Sequence, residues 1–343
     1  MVLERAGAVK LLLIGLDGVR VDLALPDVVA ADPGFAEPDH PGDPRFAASG
    51  PPPGLAPGNP GAPVAPTLER LAAGGRVVPV WMTPPTDSGP GWASLLTGTT
   101  HEENNVWWNE FVGHRLARCP DLLSRVFFAD PRARTFAAST WAGLVDPSGP
   151  GPVVHTRPDQ HVGGQHQLFA ATDFGDGCRS ADRQVRSRAA WVLNHEGPDA
   201  TFVHFEGVDE TGHRYGSAGA EYLEALRTVD EHVRFLVKAV AERVEQLGED
   251  WLVAVTTDHG HKPEGGHGED ETVVRRSFLL VHRLGGAVPA VVADATTLRS
   301  HEVAPLLLAA VGVVPGEFRA GHPVGQVRDV ASTGPTRDLR YEW

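Results

Sequence analysis

Cysteine is nearly absent from this chain: Cys119 and Cys178 are the only two in 343 residues. Two thiols cannot build a disulfide framework, although a single bridge between them stays open, and such sparse use suits a reducing compartment. Basic charge is also in short supply. The 30 Lys and Arg residues face 44 Asp and Glu, leaving a formal charge of -14 and a pI near 5.5. No basic surface is therefore expected that could follow a nucleic-acid backbone or an anionic membrane. Apolar runs long enough to span a bilayer are missing too. The run Leu11 to Leu16 is shorter than a signal-peptide core, and Asp17 follows it where small cleavage-site residues belong. Together these absences argue against a nucleic-acid polymer or a membrane as partner and make the cytoplasm the expected location. They leave the oligomeric state unread.

What is present describes a globular chain, with 41% hydrophobic and 22% charged residues, long enough for one extended α/β domain or two smaller ones. Val9 to Leu16 is a continuous apolar stretch ending in Asp17-Gly18, the pattern of a buried parallel strand that delivers an acid at its C-terminal end. Thr201 to Phe205, Trp251 to Thr257 and Phe278 to Val281 read as further strands, the first two leading to Asp209 and Asp258. Leu223, Leu226, Val229, Val233, Leu236, Val240 and Val244 recur at spacings of three and four, one apolar helical stripe that should pack on the sheet. Helices are also expected from Thr67 to Ala73, around Ser94 to Leu96 just after Gly89-Pro90-Gly91, and from Pro305 to Val311. Strands alternating with helices predict a three-layer α/β/α sandwich around a mostly parallel sheet. One catalytic domain is expected over residues 1–330, with a loose tail at 331–343. The eleven prolines between Ala31 and Pro66 make 31–66 a surface loop, and the Gly, Pro and His of 140–190 suggest a small cap.

The chemistry concentrates in three short elements. Asp209-Glu210-Thr211-Gly212-His213 sets an Asp and a His four apart directly after a strand, a spacing at which carboxylate and imidazole can share a borderline metal such as zinc. Thr257-Asp258-His259-Gly260 follows another strand, with neighbouring side chains able to serve neighbouring ions, and Gly266-His267-Gly268 comes soon after. Asp17 completes a set of three Asp and three His. A strand-end Asp by itself is commonly a turn former; the number of pieces and their shared strand-end position favour a metal centre.

These elements, in this order, resemble the alkaline phosphatase superfamily, in particular its nucleotide pyrophosphatase/phosphodiesterase branch. The resemblance covers most of the chain. It implies that Ser88, in the stretch Ser88 to Gly98 that ends in Thr-Gly, is the nucleophile. It implies two divalent ions, zinc first, with manganese or a mixed pair as alternatives. One would be held by Asp17, Ser88, Asp258 and His259, the other by Asp209, His213 and His267. It also places Asn109 against a non-bridging phosphate oxygen. The implied activity is hydrolysis of a phosphodiester or phosphoanhydride of a small phosphorylated molecule through a phosphoserine intermediate at Ser88. Phosphomonoesterase, phosphonate hydrolase, phosphotransferase and sulfatase activities, and a metal-binding protein without turnover, are the alternatives. Trp92 stands where the sulfatase motif needs arginine, which argues against formylglycine, and Ser88-Gly89-Pro90-Gly91 departs from the Thr-aromatic-Pro-Asn of relatives that act on nucleotides. No arginine is placed to clamp a monoester, which favours diesters. Trp81, Trp92, Trp107 and Trp108 are candidates for a leaving-group pocket or for core, and His204, just before the Asp209 cluster, is expected as a satisfied core histidine, with support of the cluster's ligands as the alternative.

Overall fold

Both faces of the first strand are apolar, and that fixes it in the interior of the sheet: Leu11 and Leu13 enter one core layer, while Leu12, Ile14 and Leu16 enter the other. In the computed structural model, which describes residues 8–39 and 63–313, the strands of the sheet are β1 (Val9–Leu16), β2 (Arg76–Trp81), β3 (Thr135–Ser139), β4 (His166–Ala170), β5 (Ala200–Phe205), β6 (Asp250–Thr256), β7 (Arg276–Leu284) and β8 (Leu298–Arg299). They lie in the order β4-β3-β5-β1-β6-β7-β2-β8. β1 pairs in parallel with β5 and β6, and β7 runs antiparallel to both of its neighbours.

The longer helices are α1 (Pro66–Gly74), α2 (Ser88–Thr97), α3 (Leu122–Ala129), α4 (Gly177–His195), α5 (Gly207–Tyr215), α6 (Ala220–Leu247) and α7 (Val303–Ala310). α1, α4 and α6 pack on one face of the sheet and α2, α3 and α7 on the other, giving the three-layer sandwich. The stripe on α6 is buried from Leu223 to Val240, with Val244 partly covered at its end. Each such side chain contributes about 1.5–3 kcal/mol by leaving water. No helix among the described residues is long and apolar enough to cross a membrane. Cys119 and Cys178 are free thiols, both buried.

Two expectations change. The helix that carries the serine motif begins at Ser88 itself, so Gly89-Pro90-Gly91 lies in its first turn rather than ahead of it. Proline is tolerated there because first-turn N–H groups have no intrahelical partner to lose. Residues 140–190 form no separate cap: they supply edge strand β4, paired with β3 from Thr135↔His166 onward, and most of α4. The apolar stripe of α4 is built largely from small residues, Ala181, Val185 and Ala189, among four arginines, which mutes the periodicity. Of the predicted loop 31–66, Phe35 is buried in a 3₁₀ turn, and Pro66 opens α1; residues 40–62 and the expected tail 331–343 lie outside the described residues.

Candidate active site

The site forms at the C-terminal edge of the parallel strands, where open α/β sheets leave a crevice. Asp17 follows β1, α5 follows β5, and Asp258 and His259 follow β6. Gly18 makes the first of these turns with φ +69°, and a Cβ there would lie 2.9 Å from the Cα of Asp209. Glycine thus lets the end of β1 touch α5. Asp209 and His213 stand one helical turn apart on α5 and share a face, with Oδ2 to Nε2 at 3.4 Å. Ser88 opens α2, whose N-terminus carries the positive end of the helix dipole.

All seven residues expected as ligands or nucleophile converge. Ser88 Oγ lies 3.4 Å from Asp17 Oδ1 and 3.3 Å from His259 Nε2. His259 Nε2 is 3.4 Å from Asp17 Oδ1 and 3.4 Å from Asp258 Oδ2. His267 Nε2 is 3.0 Å from His213 Nε2 and 3.5 Å from Asp209 Oδ1. The His259 and His267 rings stack at 3.7 Å and join the two halves. Asn109 reaches the same place from a loop: its Oδ1 accepts a 2.7 Å bond from the Gly89 N–H, beside Ser88. His267 comes from a strap tied to the serine loop, where Thr86 Oγ1 donates to the Glu269 carbonyl at 2.7 Å.

The donor set fits divalent cations. His259 Nδ1 donates to the Gly260 carbonyl and His267 Nδ1 to that of Thr86, each at 3.0 Å. Both rings therefore turn Nε2 lone pairs into the cluster, the tautomer that a metal needs. Three carboxylates are buried together. Burial, then the charge of Asp17, raises Asp209 to about 7, and the same causes with Asp209 raise Asp258 well above the carboxylate range. Burial also opposes ionisation of Asp17, but the His204 hydrogen bond and the nearby imidazoles outweigh it and hold Asp17 below its ordinary value. Asp258 Oδ2 is buried and accepts no hydrogen bond. An orphaned oxygen amid like charges is costly unless a cation faces it. Burial keeps the His259, His261 and His267 imidazoles below their usual value, His261 at about 4.

Three site residues were not foreseen in these positions. His204, expected as a satisfied core histidine or a support for the Asp209 cluster, is buried and bonds instead to Asp17, Nε2 to Oδ2 at 2.9 Å. Trp92 is core and also donates Nε1–H to the same oxygen at 2.9 Å. His261 is fully buried with Nε2 2.7 Å from Asp209 Oδ1; the His259-Gly260-His261 alternation, two residues apart, was the available signal. Of the other tryptophans, Trp81 is core, Trp107 half-buried and Trp108 exposed.

Fold and site together define a member of the alkaline phosphatase superfamily. Residues 57–306 match the family model of type I phosphodiesterase/nucleotide pyrophosphatase, and the chain belongs to that family. It is 25% identical over 224 residues, 65% of its length, to the catalytic subunit of mouse GPI ethanolamine phosphate transferase 3, of which the match spans 18%. The chain thus spans under a fifth of the length of the curated relatives it matches. Among solved structures, human ectonucleotide pyrophosphatase/phosphodiesterase 5 aligns with TM-score 0.55 at 13% identity, covering 88% of this chain and 95% of that one. A 2-O GAG sulfatase aligns with TM-score 0.58 at 12% identity, covering 91% and 72%. At such identities the structural likeness is one of fold.

Proposed function

We propose that this chain is a metal-dependent phosphoesterase in which Ser88 attacks the phosphorus of a small phosphodiester or phosphoanhydride. The observation that carries this is the position of Ser88 Oγ, at a helix N-terminus and 3.3–3.4 Å from His259 and Asp17. Asp17, Ser88, Asp258 and His259 would hold one ion, and Asp209, His213 and His267 the other. Two divalent ions there, zinc first, would supply the charge that makes a serine hydroxyl ionisable near neutral pH and that offsets charge on the phosphoryl oxygens.

The chain's own groups do the rest. Ser88 Oγ releases its proton to water and forms the bond to phosphorus, while the leaving oxygen departs with the electron pair of the P–O bond and is protonated by water. The dipole of α2 favours the negative Oγ before attack. Asn109, with Oδ1 fixed on the Gly89 N–H, offers its amide nitrogen to an equatorial oxygen. In the second half an oxygen nucleophile displaces Ser88, and for a diester the group carried on Ser88 retains its second ester until then. Arg20, three residues beyond Asp17, donates from its guanidinium to Asp22 and Ser217. A second reading, transfer of the phosphoryl group to an alcohol, is favoured by the similarity to GPI ethanolamine phosphate transferases.

The test is turnover of aryl phosphodiester, aryl phosphomonoester and aryl sulfate, with and without glycerol as acceptor. The diester should be cleaved fastest, and glycerol phosphoester would identify transfer. Ser88→Ala should lower the rate by about a thousandfold or more while both metal equivalents remain bound; undiminished turnover would remove Ser88 as nucleophile.

A further inference from the structure

Building on that two-ion reading, we propose that His261 is a fourth side-chain ligand of the ion held by Asp209, His213 and His267, closing this half of the site with four protein donors. The donor atoms of these four residues all lie within 4.8 Å of one another. Tetrahedral zinc with bonds of about 2.0–2.1 Å spaces its donors about 3.3 Å apart. The separations bracket that value: from Asp209 Oδ1, 2.7 Å to His261 Nε2 and 3.5 Å to His267 Nε2, and 3.0 Å between His213 and His267, with His213 3.4 Å from the other Asp209 oxygen, Oδ2.

The ring of His261 is built into place. A Cβ on Gly212 would lie 2.5 Å from its Cδ2, so the glycine between Asp209 and His213 opens the space that the imidazole fills. Ser217 Oγ donates to the His261 carbonyl at 3.0 Å, and Tyr222 meets the ring edge-on from α6 at 6.2 Å. His261 is fully buried, whereas His213 is half-exposed at the mouth. Metal sites that take part in a reaction keep a coordination position open, and sites with four protein donors are closed. With His261 this ion would have as many protein donors as the one at Ser88, and it would admit an oxygen ligand by expansion to five-coordination or by release of His261.

Wild type, His261→Ala and His261→Gln, each checked for folding by circular dichroism, are loaded with cobalt(II). Ion equivalents after dialysis against a chelator and the visible absorption of the bound cobalt are then measured. Wild type should retain two equivalents, with intense four-coordinate absorption. Both variants should keep the first equivalent and bind the second more weakly by more than the about 10–100-fold that loss of an outer partner costs, with an altered spectrum. Glutamine still offers Asp209 an N–H donor but no imidazole. If His261→Gln keeps the second ion and an unchanged cobalt spectrum, His261 serves Asp209 only by hydrogen bonding and the inference is overturned. His261→Gln decides the matter if the alanine variant does not fold. A folded wild type that takes up no second ion would overturn the two-ion reading and this inference with it.

Discussion

His204 Nε2 and Trp92 Nε1 each sit 2.9 Å from one oxygen of Asp17, Oδ2, and leave Oδ1 turned to Ser88 and His259. His204 is anchored in turn by a 3.1 Å contact from Nδ1 to Ser139 Oγ, itself bonded to the Trp141 carbonyl. A carboxylate held on one oxygen presents the other in a fixed direction. His204→Ala should therefore lower kcat or the affinity of the Ser88-side ion by about 10–100-fold with little change in KM. His204→Gln should recover part of the loss. Unaltered metal content and turnover in the alanine variant would show that Asp17 needs no such support.

Asn109 is exposed, and its Oδ1 accepts from the Gly89 N–H, so its side chain is removable without disturbing the core. Asn109→Ala should lower kcat by about 100-fold, the scale of losing one oxyanion donor, and leave both ions in place. Rate assays beside metal analysis check this, and a change in KM alone would make Asn109 a binding residue.

Much of this architecture was legible because the relevant signals are local. The run Val9–Leu16, the stripe on α6 and the strand-end acids each follow from burial acting on adjacent residues. β2 was hidden by Pro79 within it, and β3 and β4 by short, partly polar sequences such as Thr135–Ser139 and His166–Ala170. α4 was hidden by its alanines and arginines. In the site, the three Asp and three His belong to short strand-end and loop motifs readable in the sequence, whereas Ser88 was placed only by the family resemblance. His204, Trp92 and His261 gain their partners 187, 75 and 52 residues away. Only the folded sheet edge supplies those contacts.

Metal uptake should depend steeply on pH. Burial and the neighbouring Asp17 charge raise Asp209 to about 7 in the metal-free protein, so below that pH it carries a proton that a cation must displace. Above about 7 the carboxylate is already ionised, and no proton is released on its account. Apparent affinity for the Asp209 ion should fall by about tenfold per unit as pH drops below 7, with proton release on loading. Zinc titrations between pH 5 and pH 8 in a competing chelator check this, and a flat profile would contradict it.

Asp230 on α6 caps α1 from outside. Ala65 offers no capping side chain and Pro66 has no N–H, so the next two donors, Thr67 and Leu68, turn to Asp230 Oδ1 at 3.0 and 2.9 Å. Asp230→Ala strands both N–H groups in a buried setting. It should cost about 1–3 kcal/mol, measured by urea unfolding, with no effect on metal content; equal stability would mean that water takes over the cap.

Far from the site, Glu249 ties three elements together where α6 ends and β6 begins. Its Oε1 accepts from Lys10 at 2.7 Å and Arg243 Nη2 at 2.6 Å, and its Oε2 from Arg243 Nε at 2.7 Å and Trp251 Nε1 at 2.8 Å. Burial opposes the charge, but these donors outweigh it and hold the carboxyl at about 2, below its ordinary 4.5. A lowered folded-state value means that the ionised group stabilises the fold above its unfolded value. That contribution is lost as pH falls from about 4.5 toward 2. Glu249→Gln should therefore reduce stability by about 1–2 kcal/mol at pH 7, allowing for the partly wet Lys10 contact. In urea unfolding the gap between wild type and variant should stay constant down to about pH 5 and narrow below it. A gap that persists undiminished at pH 3 would mean that the variant's loss comes from packing and not from the charge.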